Sequence, residues 1–142
     1  MLLGQYTSKL TEKYRISVPK KFREGLGEEL IIAKWYENCL VLISKDNFDN
    51  LKLKLTGEKK LVISTIRDID RFILGSAFEI RLDKQGRFIV PEILMAFAEI
   101  ENEVTFVGLG DRVEIWSSEK WRELEKGSET KAKQALEEIA EE

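Results

Sequence analysis

Basic side chains are concentrated at the start of this chain. Residues 1–27 contain six lysine or arginine residues and two glutamates, a net charge of +4, whereas the whole chain has a formal net charge of −3. Residues 119–142 contain five basic and eight acidic residues, a net charge of −3. The overall charge argues against a protein that coats nucleic acid through bulk positive charge. The basic segment alone could face phosphate groups, although ordinary solvated faces would explain the same counts.

The side chains that most often perform catalysis are scarce. The chain has no histidine, and its single cysteine, Cys39, precedes the apolar residues 40–42 and is predicted to be a small core residue. The commonest general base and nucleophile are therefore missing, as are the thiols for a disulfide framework or a thiolate-rich metal site. The glutamates of residues 99–103 favour a solvated rim over a metal site. We therefore expect no enzyme activity, no cofactor and no metal.

The sequence around Arg15 occurs twice. Residues 15–19 read RISVP and residues 87–91 read RFIVP, an offset of 72. At the same offset, Tyr6 matches Phe78, Lys9 matches Arg81 and Leu10 matches Leu82. Further downstream, at an offset of 73, Phe48 matches Trp121. One supersecondary unit is therefore used twice.

Each copy predicts the order strand, turn, strand, short helix, strand, strand. Alternating apolar and polar residues indicate the first strand, and the proline after the second strand is typical of the start of a helix. In the second copy, Gly86 can adopt the positive φ of a tight turn, and the Asp83 side chain can cap that turn. The predicted elements include strands Leu2–Leu10, Leu30–Trp35, Ser76–Leu82, Arg87–Val90 and Val104–Leu109, and helices Lys20–Leu26 and Glu92–Ala98.

Four further helices are predicted outside these units. Lys45–Leu55 and Leu61–Leu74 carry apolar residues at helical spacing and connect the copies. At the end of the chain, helices Ser118–Lys126 and Ser128–Ala140 are predicted to begin at serine caps and to be separated by Gly127. The last helix carries one apolar stripe, which is either core or a contact with a neighbouring subunit: Ala132, Ala135, Leu136, Ile139 and Ala140.

These patterns predict an α+β protein that is mainly β. The start of the chain lacks the features of a secretory signal, and the chain has no run of about 18 apolar residues, so we expect a soluble, cytosolic protein without a membrane partner. We divide the chain into repeat 1 (1–47), a helical connection (48–74), repeat 2 (75–120) and a C-terminal helical tail (121–142).

Several short segments, taken in their order and spacing, resemble the MraZ family. They are Met1–Gly4, Arg15–Pro19, Glu37–Leu40, Asp83–Arg87 and the stretch from Val107 to Trp116. The resemblance covers roughly residues 1–126. Each segment alone is a weak signal, but their combination is specific.

The resemblance implies a fold and a function. Each repeat would be an AbrB-like module with a swapped hairpin, and the two would form a pseudo-two-fold, double-psi β-barrel-like unit with peripheral helices. Family members assemble into rings and bind repeated DNA boxes upstream of the division and cell-wall gene cluster, usually as repressors. The resemblance therefore implies a bacterial, nucleoid-associated regulator with double-stranded DNA and its own copies as partners, and no small-molecule substrate.

One family motif is altered in the first repeat. The family's motif of Asp, three residues and Arg is intact from Asp83 to Arg87, but in repeat 1 Thr11 replaces the aspartate and Tyr14 stands where glycine is common. The Thr11 hydroxyl can still hydrogen-bond the turn but cannot form an ion pair with Arg15. Arg15 would then be freer to reach DNA, or the turn would be less rigid.

The resemblance assigns DNA contacts to the hairpin turns. Arg15 is the first candidate for paired hydrogen bonds to guanine in the major groove, with Lys13 beside it. The phosphate-contact candidates, expected to flank the same turn, are Lys9, Lys20, Lys21 and Arg23. Lys84 and Arg87 are the equivalents in repeat 2, while Thr11, Asp83 and Gly86 are expected to shape the turns. An ion pair or a local hydrogen bond is the alternative role of Arg15 and, more strongly, of Arg87.

A protein-interaction module of the antitoxin type is the alternative function. Such AbrB-like antitoxins usually carry one hairpin unit and a disordered partner-binding tail, whereas this chain carries two copies. Resistance of residues 119–142 to protease would favour the regulator, and rapid cleavage would favour the antitoxin-like module.

Overall fold

The computed structural model describes residues 1–57 and 64–141 and shows an α+β fold, as predicted. In chain order the elements are β1 (Leu2–Lys9), β2 (Arg15–Ser17), α1 (Lys20–Leu26), β3 (Glu29–Lys34), β4 (Leu40–Ser44), α2 (Lys45–Thr56), α3 (Ser64–Ile73), β5 (Phe78–Arg81), β6 (Arg87–Ile89), α4 (Glu92–Ala98), β7 (Glu103–Gly110), β8 (Val113–Ser117) and α5 (Ser118–Glu141). Residues 61–63 of one predicted helix lie outside the described residues. Among the described residues, no helix is both long and apolar enough to cross a membrane.

The strands form two antiparallel sheets in which the two halves of the chain exchange partners. The larger sheet has the order β1-β7-β8-β4-β3-β5, and the smaller one pairs β2 with β6. The first strand of each half therefore pairs with a strand of the other half: β1 with β7, and β5 with β3. The order is symmetrical about the β4–β8 pair, and the larger sheet is open, with β1 and β5 at its edges.

Apolar residues fill both faces of the larger sheet. On β3, Leu30 and Ile32 belong to a core with α1, α4 and the β2–β6 pair, whereas Ile31 and Ala33 belong to a second core with α2 and α3. Successive side chains of a strand point to opposite faces, so a strand covered on both sides needs a continuous apolar run. Cys39 lies in the second core and is fully buried, as predicted.

The end of the chain differs from its predicted form. α5 is one helix through Gly127, and Ser128 lies inside it rather than at a cap. Glycine inside a helix costs only about 1 kcal/mol relative to alanine, which is too little to force a break. The Ser117 hydroxyl, not that of Ser118, accepts the Lys120 amide at 3.5 Å, while the Ser118 hydroxyl is hydrogen-bonded to Thr105 at 2.8 Å.

Backbone hydrogen bonds connect each hairpin turn to the other half. We call residues 11–14 turn 1 and residues 83–86 turn 2. The Val18 amide donates to the Gly86 carbonyl at 2.8 Å, and the Val90 amide donates to the Tyr14 carbonyl at 3.0 Å. Gly86 (φ 75°) and Tyr14 (φ 57°) occupy equivalent left-handed positions in the two turns. The Arg23 side chain packs directly on Gly86.

These two positions should respond oppositely to substitution. Gly86→Ala should lower the free energy of unfolding by about 1–2 kcal/mol, because a left-handed conformation penalises Cβ and the new methyl group would also meet Arg23. Tyr14→Gly should raise the free energy of unfolding by up to about 1 kcal/mol, because it removes the penalty on a Cβ in the left-handed conformation. The greater freedom of glycine in the unfolded chain offsets part of this gain. Urea denaturation measures both. A neutral Gly86→Ala would contradict the packing described.

Candidate nucleic-acid interface

The aspartate of turn 2 organises the whole turn. Its Oδ1 accepts the Gln85 and Arg87 amides, each at 2.9 Å, and its Oδ2 accepts Arg87 Nε at 3.0 Å. The backbone hydrogen bond from Arg87 is the main reason why the pKa of Asp83 lies below its ordinary value of 3.8. Arg87 is thus tied to its own turn through both backbone and side chain.

Turn 1 has the same backbone but different side-chain bonds. The Thr11 amide donates to the Arg15 carbonyl at 3.0 Å, and the Tyr14 amide donates to the Thr11 carbonyl at 3.1 Å. The Thr11 hydroxyl donates to the Arg15 carbonyl at 3.3 Å, so it contacts the backbone of Arg15 and not its guanidinium. In the part of the chain that the structure describes, Arg15 belongs to no ion pair, whereas Arg87 does.

The β2–β6 pair brings arginines of both halves to one shallow depression. Arg15 lies opposite Ile89 in the pairing register, and Arg87 lies opposite Ser17. Both arginines, together with Arg81, line a depression that also includes Asp83 and the apolar residues Ile80, Phe88 and Ile89. Sequence reasoning did not select Arg81 as a site residue. Its match to Lys9 at the repeat offset was a signal that could have identified it.

The predicted phosphate-contact residues divide between the two turns. Lys9 and Lys13 are exposed on the hairpin of turn 1. Lys20 and Lys21 are the first residues of α1, and α1 begins near turn 2 because the Val18 amide is bonded to the Gly86 carbonyl. The predicted phosphate contacts remain Lys9, Lys20, Lys21 and Arg23, and the exchange of strands places the start of α1, which carries the last three, against the other half.

Arg23 is held within the protein. Its Nε donates to the Val18 carbonyl at 2.7 Å, and its half-buried side chain covers Gly86. This contact joins α1 to turn 2. Arg23 is therefore less available for a phosphate than the exposed Lys20 and Lys21.

The lysines of α1 lie where a helix does not favour them. The first turn of α1 contains no acidic residue, and the partial positive charge of a helix N-terminus disfavours nearby cations by some tenths of a kcal/mol each. The equivalent helix α4 begins with Glu92 instead. An anionic partner would offset this cost at α1.

Cys39 and Glu114 also have shifted pKa values, and neither lines the depression described above. Burial raises the pKa of the Cys39 thiol and of the Glu114 carboxyl, and Trp116 Nε1 donates to Glu114 at 3.0 Å. Within the described ranges, no group of three or more carboxylate or thiol side chains is placed to hold a metal ion.

Acid should weaken turn 2 through Asp83. Because its folded pKa is lowered, Asp83 contributes stability that is present above its ordinary pKa and is lost as the pH falls through the lowered value. Asp83→Asn keeps an amide oxygen for the backbone bonds but removes this titration. The wild type's advantage in free energy of unfolding over Asp83→Asn should therefore shrink from about pH 6 to about pH 2. Denaturant titrations at each pH measure the two free energies of unfolding. A difference between them that does not change with pH would contradict the stabilising role assigned to the Asp83 carboxylate.

Known proteins resemble this chain along its whole length. The family model described as "MraZ protein, putative antitoxin-like" matches residues 1–71 and again residues 73–141. A protein of Caldanaerobacter subterraneus subsp. tengcongensis named "Transcriptional regulator MraZ" is 42% identical over 141 residues, which cover 99% of this chain and 95% of the relative.

Two further relatives carry the same name. The protein of Thermoanaerobacter sp. is 40% identical over 141 residues, covering 99% of this chain and 95% of its own. The protein of Clostridium tetani is 41% identical over 125 residues, which cover 87% of this chain and 86% of that relative. The identity, coverage and double match of the family model show that this chain belongs to the MraZ family.

Proposed function

We propose that this chain is a sequence-specific DNA-binding transcriptional regulator and a repressor of the division and cell-wall gene cluster. It would bind repeated promoter boxes through its basic turns, carried on a ring-shaped homo-oligomer associated with the nucleoid in the cytoplasm. The name shared by its relatives supports the regulatory role. The observation that carries the DNA contact is Arg15, which lines the depression shared by both halves and has no ion pair with any residue that the structure describes.

The two turns would contribute differently to recognition. A two-stranded ribbon fits the major groove, where a free guanidinium can donate two hydrogen bonds to guanine. Arg15 is available for this role, whereas Arg87 would first have to leave Asp83. Repeat 1 would therefore read bases, and repeat 2 would mainly position the duplex through its phosphates.

Phosphate contacts would come from both halves. Lys9 and Lys13 would hold one stretch of backbone beside turn 1, and Lys20, Lys21 and Lys84 another beside turn 2. The swapped-hairpin, barrel-like unit of AbrB-like proteins is part of this proposal, as is the division at residues 47, 74 and 120. Its support is the exchange of strands between the halves.

Assembly would compensate for the weakness of one contact. When neighbouring subunits place their turns on successive boxes, each later contact is intramolecular, and avidity can exceed single-site affinity by roughly 10²–10⁴. A chain with a net charge of −3 could then bind DNA through a local basic surface.

An antitoxin-like protein-interaction module is the second candidate. The description of the family model favours it, since it includes the words "antitoxin-like". The tail argues against it, because α5 is one continuous helix to Glu141 and not an irregular segment.

Arg15→Ala should abolish or strongly weaken binding of the protein to its promoter boxes, since a paired arginine–guanine contact is worth about 1–3 kcal/mol in each subunit that makes it. Ring assembly should remain. Gel-shift titration measures the affinity for DNA, and light scattering measures the size of the assembly. Arg87→Ala should cost less, because Arg87 is engaged with Asp83. Arg67→Ala, at an exposed arginine of α3, is the matched control. Unchanged affinity of Arg15→Ala would refute its assignment.

Salt should weaken binding steeply. The logarithm of the affinity should fall with the logarithm of the salt concentration by about 0.9 per phosphate contact. Lys20→Ala with Lys21→Ala should lower the slope by about 2, because two contacts are lost. Fluorescence anisotropy across a salt series measures the slope, and a flat series would contradict docking through phosphates.

A further inference from the structure

The distal half of α5, residues 128–141, has an apolar stripe that packs against none of the residues described by the structure. Every side chain from residue 126 to residue 141 is exposed, including Leu136 at 64% and Ile139 at 66%. The stripe is therefore not part of the core, which leaves the other predicted role, contact with a neighbouring subunit. Most helical stability in proteins comes from packing of an apolar face, which favours a partner for this stripe.

The same segment ends in uncompensated negative charge. Residues 134–141 contain Glu137, Glu138 and Glu141 and no basic residue. The C-terminus of a helix itself carries partial negative charge, so basic residues are favoured in the last turn, and here there are none. A surface that is both cationic and apolar would complement this segment.

Turn 1 has such a surface. Tyr14, Ile89 and Ile93, which we call the turn 1 patch, are exposed by 55%, 51% and 57%. The Tyr14 carbonyl accepts the Val90 amide at 3.0 Å, which brings the backbone of Tyr14 beside the segment that carries both isoleucines. Phosphate contacts do not require three exposed apolar side chains. Their position next to Lys13 and Arg15 indicates a partner with both apolar and acidic groups.

The tail of the same chain runs away from turn 1. Ser118 is bonded to Thr105, which faces Thr7 on β1, whereas Trp121 and Glu125 are both bonded to Gln5, farther from turn 1. A continuous helix that passes from Thr7 to Gln5 cannot turn back to residue 14. The partner of the turn 1 patch must then come from a second copy.

We propose that the distal half of α5 docks on the turn 1 patch of a second copy. Leu136 and Ile139 would cover Tyr14, Ile89 and Ile93, and the acidic end would lie beside Lys9 and Lys13. The docked helix and DNA would compete for turn 1. The competition rests on the proposed function, but the docking does not.

Disulfide trapping tests the docking without DNA. Full-length chains carrying Ile93→Cys and Ile139→Cys should form a disulfide-linked heterodimer when mixed and mildly oxidised, because the two sites face each other between copies. Cys39 is buried and should not compete. Leu53→Cys, at an exposed position away from the patch, is the matched control and should not link to Ile139→Cys.

Other trapping outcomes would overturn the proposal. Linkage of Ile139→Cys with itself would mean that tails pair with tails. Ala135→Cys, which leaves Leu136 and Ile139 in place, is the second probe and should also link to Ile93→Cys. Absence of linkage from both probes would show that the tail does not dock on this patch.

DNA binding tests the competition. Leu136→Ser with Ile139→Ser should lower the Kd for the promoter boxes several-fold, because turn 1 is no longer partly occupied. Leu53→Ser should leave the Kd unchanged. Weaker or unchanged DNA binding by the tail variant would overturn the competition. If no variant and not even the wild type binds DNA, the proposed function fails, while the trapping result still decides the docking.

Discussion

The pairing of β2 with β6 is the interaction on which the candidate site depends. It joins three residues of one half to three of the other and is extended by the bonds from Val18 to Gly86 and from Val90 to Tyr14. Buried backbone groups must find partners, and here each half supplies the partners of the other half's turn. Neither half can build its turn surface alone. The duplication therefore creates one site with contributions from both halves, not two independent sites.

Within this symmetrical frame, one side chain makes the turns unequal. The Asp83 carboxylate accepts three hydrogen bonds and fixes Arg87. The Thr11 hydroxyl donates one bond to a carbonyl, and the guanidinium of Arg15 has no partner among residues 1–57 and 64–141. A charge-assisted network of this kind is rigid, and a single neutral hydroxyl is not an equivalent anchor. The proposed division of labour between the repeats follows from this difference.

Much of this arrangement could be predicted from the sequence, since it depends on local rules. Strand alternation, the proline before α1 and the glycine of turn 2 identified the short elements, and α1 and α4 have the predicted bounds. The position of Lys20 and Lys21 beside turn 2 could not be predicted, because it follows from which strands exchange. The continuity of α5 was also missed, since a single glycine is a weak signal and the helix on either side of it is strong.

The distribution of charge gives the last link between fold and function. α1 tolerates lysines at its N-terminus while α5 tolerates glutamates at its C-terminus, and both arrangements oppose the helix dipole. Each of these ends favours a partner of opposite charge: an anion for the lysines of α1, and a cationic surface, as proposed for turn 1, for the glutamates of α5. Because α5 leaves the body at Gln5, its acidic end cannot reach the basic turns of its own chain. On our proposal, the chain would carry both members of a complementary pair and would join them only by association.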